Sequence, residues 1–267
     1  RGVKFLNKDE YNLKIFNVRP ISKNLLIMPF DFLLMIILIF KSISFLRKNK
    51  INILISTGGY MSLPLCIGAK ILNIKLLLFE PNMVLGRSNK FFISYCQKIF
   101  CYSNNVKKFP IKFKNKIKVI PALLRKNFYN KRDSNNTLDT INLLIIGGSQ
   151  GAKIFDDLVK NAIIELSKKY KLKIYQQTSS INFESFKKTY ENNNINCELF
   201  NFNDDVINFM HKTDLCITRA GASTLAELNF TEIPYLAIPL PTAKDNHQFE
   251  NAYFYNKLGF NWLLNQK

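Results

Sequence analysis

The sequence predicts an α/β protein made of two doubly wound domains, each with a parallel sheet between helices. Three observations support this prediction. Short apolar runs alternate with helix-length segments along the 267-residue chain. Glycine-rich turns directly follow two of these runs, and a polar, breaker-rich stretch at 130–140 separates two such regions. We therefore predict a first domain at 1–137 and a second at 138–267.

In the first region, three apolar runs are strand candidates, and each is followed by a segment of helix length. Glycines follow the first run, and Glu80 and Asn82 follow the second. We expect these positions at strand carboxyl ends, where open parallel sheets bind ligands. The candidate strands are Ile51–Ser56, Lys75–Phe79 and Lys98–Tyr102.

The second region opens with the apolar run Ile141–Ile146, and Gly147–Ala152 (GGSQGA) follows it. Glycines let a backbone approach a ligand closely, and Ser149 offers a hydroxyl near the start of the next helix. The loop lacks the G-x-G-x-x-G spacing of dinucleotide sites and the lysine-serine pair of a P-loop. The ligand is therefore predicted to be neither a dinucleotide nor a P-loop triphosphate. Further strands are predicted to begin near Lys173, Ile195, Asp214 and Pro234.

After the strand predicted at Asp214–Thr218, Gly221 allows a sharp turn into a helix. Ser223 and Thr224 are candidate caps of that helix, and its free N–H groups form a seat for phosphate. Glu227 lies about one turn further on, where a carboxylate can accept hydrogen bonds from both hydroxyls of a ribose.

The next predicted strand, Pro234–Pro239, leads into a turn of hydroxyl-reading side chains. Each piece alone has an ordinary explanation: a strand, a glycine turn and a helix are common to all doubly wound folds, and Glu227 fits a solvated helix acid equally well. Together, the two glycine turns, the helix acid and this polar cluster favour a nucleotide-sugar site. The cluster consists of Asp245, Asn246, His247 and Gln248.

Several motifs resemble the MurG family in order along nearly the whole chain. They are STGGYMSLPL, FEPNMVLGRSNK, GGSQGAKIFDDLV, FNFNDDVINFMHKTDLCITRAGASTLAEL and DNHQFENA. Members of that family are peripheral membrane N-acetylglucosaminyltransferases that make lipid II for peptidoglycan. The resemblance implies the GT-B architecture, in which two Rossmann-like domains face a cleft.

The resemblance also implies roles for individual residues of the donor site. It assigns Ser149 to the donor diphosphate, Glu227 to the ribose, and the backbone of Asn203 to the uracil. Gln248 matches a glutamine that contacts the transferred sugar, and Asn82 and Arg125 match further donor-site residues carried by the other domain. The segment that matches the donor-binding turn and helix comprises Ala222, Ser223, Thr224, Leu225, Ala226 and Glu227.

The chain departs from the family pattern at several positions. Phe79 and Pro81 stand where the family has histidine and glutamine, and His247 stands where glutamine is common. Pro121, Ala122 and Leu123 replace the glycine-asparagine-proline before the arginine. The family's first strand and its glycine-rich loop ending in histidine have no counterpart, so we expect a chain that lacks both termini. The catalytic base stays unassigned; Glu80 is a candidate by position, although a structural strand-end role is the stronger interpretation.

The net charge of +19 belongs entirely to the first domain. Residues 1–137 carry 25 basic and 5 acidic side chains, whereas 138–267 carry 13 and 14. No nucleic-acid-binding module accompanies the basic residues, so nucleic acid is not a predicted partner. Two explanations of the excess positive charge stay open: contact with an anionic membrane surface, and a lysine-rich composition that has no partner. In Lys107–Val119 the lysines alternate with apolar residues, as on the solvated face of a strand.

The apolar segment Leu25–Leu46 is the second membrane signal. Pro29, Asp31 and Lys41 interrupt it, which argues against a transmembrane helix. We favour a helix that exposes an apolar patch to the bilayer, with a wholly buried core helix as the alternative.

Five scattered cysteines and two histidines lack any metal-ligand spacing, so we predict reduced thiols, no metal and no cofactor. The predicted function is inverting transfer of N-acetylglucosamine from UDP-N-acetylglucosamine to the 4-hydroxyl of undecaprenyl-diphospho-N-acetylmuramoyl-pentapeptide, in cell-wall synthesis at the cytoplasmic face of the inner membrane. Two alternatives stay open: another lipid-acceptor nucleotide-sugar transferase of this fold, and a nucleotide-binding remnant without turnover.

Overall fold

The computed structural model describes residues 12–129, 139–147, 155, 159–201 and 206–266. The chain divides into two compact units, Arg1–Pro121 and Ala122–Lys267. Each unit carries its own all-parallel sheet with helices between consecutive strands. The predicted α/β class with two parallel-sheet domains is confirmed.

The sheet of the first unit has the order β1-β2-β3-β4. One face packs against helices through Leu76, Leu78 and Ile99, which are buried. The other face is open on β1, where Ile53 and Ile55 are 53% and 62% exposed. The helices of this unit are α1 (Met28–Lys48), α2 (Leu63–Ile71) and α3 (Arg87–Phe92), and its strands are β1 (Ile53–Ser56), β2 (Lys75–Glu80), β3 (Lys98–Cys101) and β4 (Ile117–Val119).

Helix α1 lies on α2 at a glycine. A Cβ at Gly68 would come within 3.3 Å of the Leu46 side chain, so glycine permits this close approach. Asp31, which interrupts the apolar run in the sequence, is 9% exposed and accepts a hydrogen bond from the Ser22 backbone N–H at 2.8 Å. The alternative of a wholly buried core helix is wrong, because Phe30, Leu33 and Phe40 are more than half exposed.

The alternation of lysines before β4 does not form a long strand. Ile111–Lys116 is a short 3-10 helix that begins after Pro110, and the strand covers Ile117–Val119 alone. The aromatic ring of Phe113 packs against the core of the first unit, and the lysines on either side face solvent. Tertiary packing of one aromatic side chain therefore overrides the local period-two pattern.

The sheet of the second unit has the order β10-β9-β8-β5-β6-β7. Its winding reverses between β5 and β8, which makes their carboxyl ends the topological switch point where such sheets bind ligands. The strands are β5 (Ile141–Ile146), β6 (Leu172–Gln177), β7 (Asn196–Phe200), β8 (Leu215–Thr218), β9 (Tyr235–Ala237) and β10 (Asn261–Leu263). The helices are α4 (Lys160–Ser167), α5 (Phe183–Glu191), α6 (Val206–Met210), α7 (Ala222–Phe230) and α8 (His247–Lys257).

The central strand β5 is buried on both faces. Leu143 and Ile145 belong to the core on one side of the sheet, and Leu144 and Ile146 belong to the core on the other. A strand covered on both sides has no solvated face, which explains why this run is continuously apolar in the sequence.

Candidate nucleotide-sugar site

The turn from β8 into α7 adjoins the switch point. Gly221 is the N-cap of α7 in an extended conformation, and no side chain caps the helix. The prediction that Ser223 or Thr224 caps it is therefore wrong; both lie inside the first turn, because the helix begins at Ala222. The first intrahelical bond runs from the Leu225 N–H to the Gly221 carbonyl at 3.0 Å. The N–H groups of 222–224 thus have no partner within the helix and point out of its N-terminus.

Glu227 lies on α7 with a side chain that is nearly buried. Its two carboxylate oxygens accept hydrogen bonds from Arg125, from Nε at 2.9 Å and from Nη2 at 3.0 Å. Burial raises the pKa of Glu227, and the hydrogen bonds and charge of Arg125 act in the opposite direction. The two side chains form a charged, bidentate pair beside the first turn of α7.

Arg125 belongs to the second unit by its contacts, whereas the boundary predicted at 137 assigned it to the first domain. Its guanidinium lies 5.1 Å from the centre of the Phe128 ring, and Phe128 is part of the core of the second unit. The neighbouring Leu124 packs on the same core. These apolar anchors position the Arg125 side chain in reach of Glu227.

The polar turn after β9 places Gln248 in the first turn of α8. The Gln248 Oε1 accepts a hydrogen bond from the Leu240 N–H at 2.9 Å, which orients the amide. Its nitrogen is then the side that can donate to a ligand oxygen. Asp245 and Asn246 adopt left-handed backbone conformations with φ of 56° and 57°. The His247 Nδ1 lies 2.7 Å from the Lys244 carbonyl oxygen, so this ring is engaged within its own turn.

Two buried polar residues at this sheet edge were not predicted from the sequence as part of the site. The Asn251 amide on α8 donates to the Ala220 carbonyl at 3.1 Å and thereby ties α8 to the β8–α7 turn. Arg219, directly after β8, is 7% exposed. The sequence pattern that could have indicated Arg219 is its position, as a cation between an apolar strand and a glycine turn.

In the first unit, Glu80 lies at the carboxyl end of β2 and is 3% exposed. It accepts hydrogen bonds from the Gly86 N–H at 2.7 Å, from the Asn89 amide at 3.0 Å, and from both the backbone and the amide of Asn82. All these donors come from the segment that follows β2. The geometry therefore supports the structural interpretation of Glu80, as the group that holds this loop, rather than a catalytic one.

The departure at Phe79 has a packing consequence. The Phe79 ring meets the Tyr102 ring edge-on, with centroids 5.7 Å apart, at the ends of neighbouring strands. A histidine at this position would present a smaller, polar ring to Tyr102 in place of the apolar ring of phenylalanine. Nearby, Gly58 and Gly59 both have φ of 79°, which explains why glycines follow β1.

Ser149 and Asn203 lie outside the described residues. Across the part of the chain that is described, no three His, Cys, Asp or Glu side chains group together as metal ligands. Burial raises the pKa of the thiols of Cys66, Cys96 and Cys216, as expected of packing residues rather than nucleophiles.

The chain matches the N-terminal domain of glycosyltransferase family 28 over residues 3–101 and its C-terminal domain over 142–267. The UDP-N-acetylglucosamine--N-acetylmuramyl-(pentapeptide) pyrophosphoryl-undecaprenol N-acetylglucosamine transferase of Pelagibacter ubique (strain HTCC1062) is 90% identical over all 267 residues, which span 75% of that relative. The transferase of the same name from Rickettsia bellii (strain RML369-C) is 34% identical over 100% of this chain and 76% of its own.

Among solved structures, the MurG of Acinetobacter baumannii superposes with a TM-score of 0.74 at 26% identity, over 97% of this chain and 72% of that one. The UDP-GlcNAc 2-epimerase of Neisseria meningitidis, solved with UDP-GlcNAc bound, superposes with a TM-score of 0.56 at 13% identity, over 85% of this chain and 73% of its own. The second likeness shows the fold alone.

Proposed function

The chain belongs to the MurG family within glycosyltransferase family 28, and we propose that it transfers N-acetylglucosamine from UDP-N-acetylglucosamine to a lipid-linked acceptor, N-acetylmuramyl-(pentapeptide) pyrophosphoryl-undecaprenol. It is a hexosyltransferase with the two α/β domains of a GT-B enzyme. The reaction is the step of peptidoglycan synthesis that converts lipid I to lipid II.

The main observation in support of the proposed donor site is the buried carboxylate of Glu227 beside the switch point. A nucleotide sugar has a ribose whose two hydroxyls are donors, and a carboxylate in the first turns of α7 is a suitable acceptor for both. Arg125 supports the same role, because a cation in contact favours the ionised form of a buried carboxyl and so opposes the effect of burial on the pKa of Glu227. We propose that ribose hydroxyls share the Glu227 carboxylate with Arg125 when the donor binds.

The rest of the donor is proposed to extend along the same sheet edge. The oriented amide of Gln248 supports a role as a hydrogen-bond donor to an oxygen of the transferred sugar. The free N–H groups of 222–224 support binding of the diphosphate, with Ser149 as a further proposed ligand. Asn203 on the uracil and Asn82 as an additional donor contact stay proposals that rest on the family resemblance.

In the proposed reaction, the 4-hydroxyl oxygen of the acceptor sugar attacks the anomeric carbon of N-acetylglucosamine. The bond from that carbon to the diphosphate oxygen breaks, its electron pair leaves with UDP, and the configuration inverts. The hydroxyl proton passes to a base that stays unassigned. Preorganised N–H dipoles at the start of α7 stabilise the charge that develops on the leaving group.

Helix α1 supports peripheral binding to an anionic membrane. Among the described helices, α1 meets the length and hydropathy of a membrane span, and its docking on α2 through Gly68 favours a position in the interface over a crossing. An open groove of about 840 Å³ runs between the segment at 14–19 and α1. Basic side chains line the groove together with apolar ones, a combination that suits contact with anionic lipid headgroups. These cations are Lys14, Arg19, Lys41 and Lys48.

A transfer assay tests the proposed function. The full chain is incubated with radiolabelled UDP-N-acetylglucosamine and the undecaprenyl-linked acceptor, and label in the lipid fraction is measured. We expect transfer that depends on the acceptor, and none from UDP-galactose. Binding of UDP without transfer to any lipid acceptor would instead favour the nucleotide-binding remnant, and transfer to diacylglycerol would favour a related lipid glycosyltransferase.

A further inference from the structure

Arg219 is a nearly buried cation to which the proposed reaction assigns no role so far. Its Nη1 donates to the Ile238 and Pro239 carbonyls at 3.0 and 3.2 Å and to the Gln266 Oε1 at 2.9 Å. The guanidinium lies over the Phe155 ring, 5.2 Å from its centre. Every one of these partners is neutral.

The positive charge of Arg219 has no counter-ion in the described part of the chain. No carboxylate there lies within salt-bridge distance, and neither Nε nor Nη2 donates a hydrogen bond to any described residue. Burial lowers the pKa of Arg219, yet a guanidinium stays protonated in proteins. A buried charge is costly unless an opposite charge approaches it. The arrangement therefore suits an anion that is bound during function.

The location of Arg219 indicates which anion. Its backbone N–H bonds to the Ile146 carbonyl at 3.4 Å, at the point where the glycine loop after β5 begins. Gly221, the N-cap of α7, follows two residues later. Arg219 thus stands at the switch point, between the two glycine turns. The proposed ribose ligand on α7 and the proposed sugar ligand on α8 lie on the helices that follow, and the part of a nucleotide sugar between ribose and sugar is its diphosphate.

We propose that the Arg219 guanidinium is the fixed positive charge that binds the diphosphate of the nucleotide-sugar donor and stabilises UDP as it leaves. The inference rests on the proposed function. A guanidinium matches phosphate oxygens in geometry as well as charge. When the bond to the anomeric carbon breaks, negative charge grows on the diphosphate, and a cation already held by the Ile238 carbonyl and Phe155 needs no rearrangement to meet it.

The same contacts also fit a purely structural role, in which Arg219 acts as a clamp that holds neighbouring segments together and its charge does not matter. Through its Nη1, Arg219 links the end of β8 to the segments that follow β9 and β10. A clamp holds the whole site in shape, so its loss would weaken every part of the ligand equally. A diphosphate charge would act on the phosphates alone. The nucleoside uridine, which lacks phosphates, separates these two roles.

The test is calorimetric titration of the full chain and its variants with UDP and with uridine. In Arg219→Gln we expect UDP binding to weaken by about tenfold or more, as for a lost charge-assisted hydrogen bond, and uridine binding to change less than about twofold. Arg219→Lys keeps the positive charge but not the planar guanidinium that can donate two parallel hydrogen bonds, so it should lose part of the UDP affinity. Gln266→Ala removes one neutral contact of the clamp and keeps the charge, so it should retain the UDP preference.

Equal losses for UDP and uridine, or an unchanged UDP affinity in Arg219→Gln, would overturn the proposal. If Arg219→Gln does not fold, as judged by its melting transition, Arg219→Lys decides the matter in the same way: a loss confined to UDP supports the proposal, and an equal loss for uridine ends it. Wild-type protein that binds no UDP would refute the proposed function itself, and the Arg219 role with it. Wild-type preference for UDP that survives in Arg219→Gln would refute only the role of Arg219.

Discussion

The two units share one plan, a parallel sheet with helices between its strands, but they use their side chains differently. In the second unit both faces of the sheet are covered, and the ionic charge is nearly balanced. The side chains of its candidate site are oriented by hydrogen bonds, as Glu227 and Gln248 are. In the first unit β1 has an open face and α1 exposes its apolar side chains. Most of the excess positive charge is also located there, because residues 1–121 carry 21 basic and 4 acidic side chains, +17 of the total of +19.

This difference matches two kinds of ligand. A small polar donor requires a few groups held at fixed positions, which a fully packed sheet provides. A membrane surface has no fixed positions, and apolar area with scattered cations suffices to bind it. Under the proposed function, the same fold therefore binds a small donor at fixed positions in one unit and adheres to a membrane surface in the other.

The largest expected contrast lies in core packing. Leu144→Ala on β5 removes a fully buried side chain and should lower the free energy of unfolding by about 2–5 kcal/mol. Ile55→Ala on β1, where the side chain is 62% exposed, should cost less than about 1 kcal/mol. Hydrogen exchange followed by mass spectrometry measures both, unit by unit. Similar losses at the two sites would show that the open face of β1 is covered in solution.

Next in size is the loss of the proposed ribose ligand. Glu227→Ala should weaken UDP binding by about 1.5–3 kcal/mol, because a charged hydrogen-bond acceptor disappears. Glu165→Ala is the matched control: Glu165 is an acid on the exposed side of α4 in the same unit, paired with Lys168 at the surface. Calorimetry with UDP compares the two variants. An affinity in Glu227→Ala equal to that of the control would remove Glu227 from the site.

A smaller effect is expected at the proposed membrane surface. Phe40 on α1 is 67% exposed, and Phe40→Ser should reduce binding to anionic vesicles by about five- to tenfold through the loss of apolar area. Ile181→Ser, at a position 92% exposed in the second unit, should leave binding unchanged. Flotation with phosphatidylglycerol-containing vesicles and with neutral ones measures both variants. Equal losses in the two variants would argue that adhesion is not localised to α1.

The subtlest expected effect is a change in pH dependence. Burial raises the pKa of Glu227 and Arg125 opposes that rise, so Arg125→Gln should move the pKa further upward. The ionised carboxylate is the form that accepts ribose hydroxyls. UDP affinity should therefore fall with decreasing pH in both proteins, and the fall should begin at a higher pH in the variant.

Arg125→Lys is the control for that experiment, because it keeps the positive charge beside the carboxylate. Titrations with UDP between about pH 5 and about pH 8 cover the range in which a raised carboxyl pKa acts. Profiles of Arg125→Gln and wild type that differ only by a constant factor would show that Arg125 contacts the ligand without setting the ionisation of Glu227.

Strand positions were predicted well wherever a run was continuously apolar, because burial on both faces leaves a strong local signal, as at Ile141–Ile146. Prediction failed where one tertiary contact decided the conformation. Phe113 reaches the core and turns a lysine-alternating segment into a 3-10 helix. The cap of the helix after β8 was also predicted wrongly, since the helix begins at Ala222 with Gly221 as its N-cap and neither hydroxyl residue caps it.

By itself the sequence determined the fold class, through its short apolar runs, and the family, through the resemblance of several motifs. It also determined the position of the glycine turn before α7, because that turn depends on residues adjacent in the chain. Only the tertiary structure decided which polar groups meet. Arg125 and Glu227 are 102 positions apart and form one bidentate pair, and Arg219 joins the ends of neighbouring strands. A sequence records which side chains are available, but hydrogen bonds between distant residues form only after packing brings strand ends together.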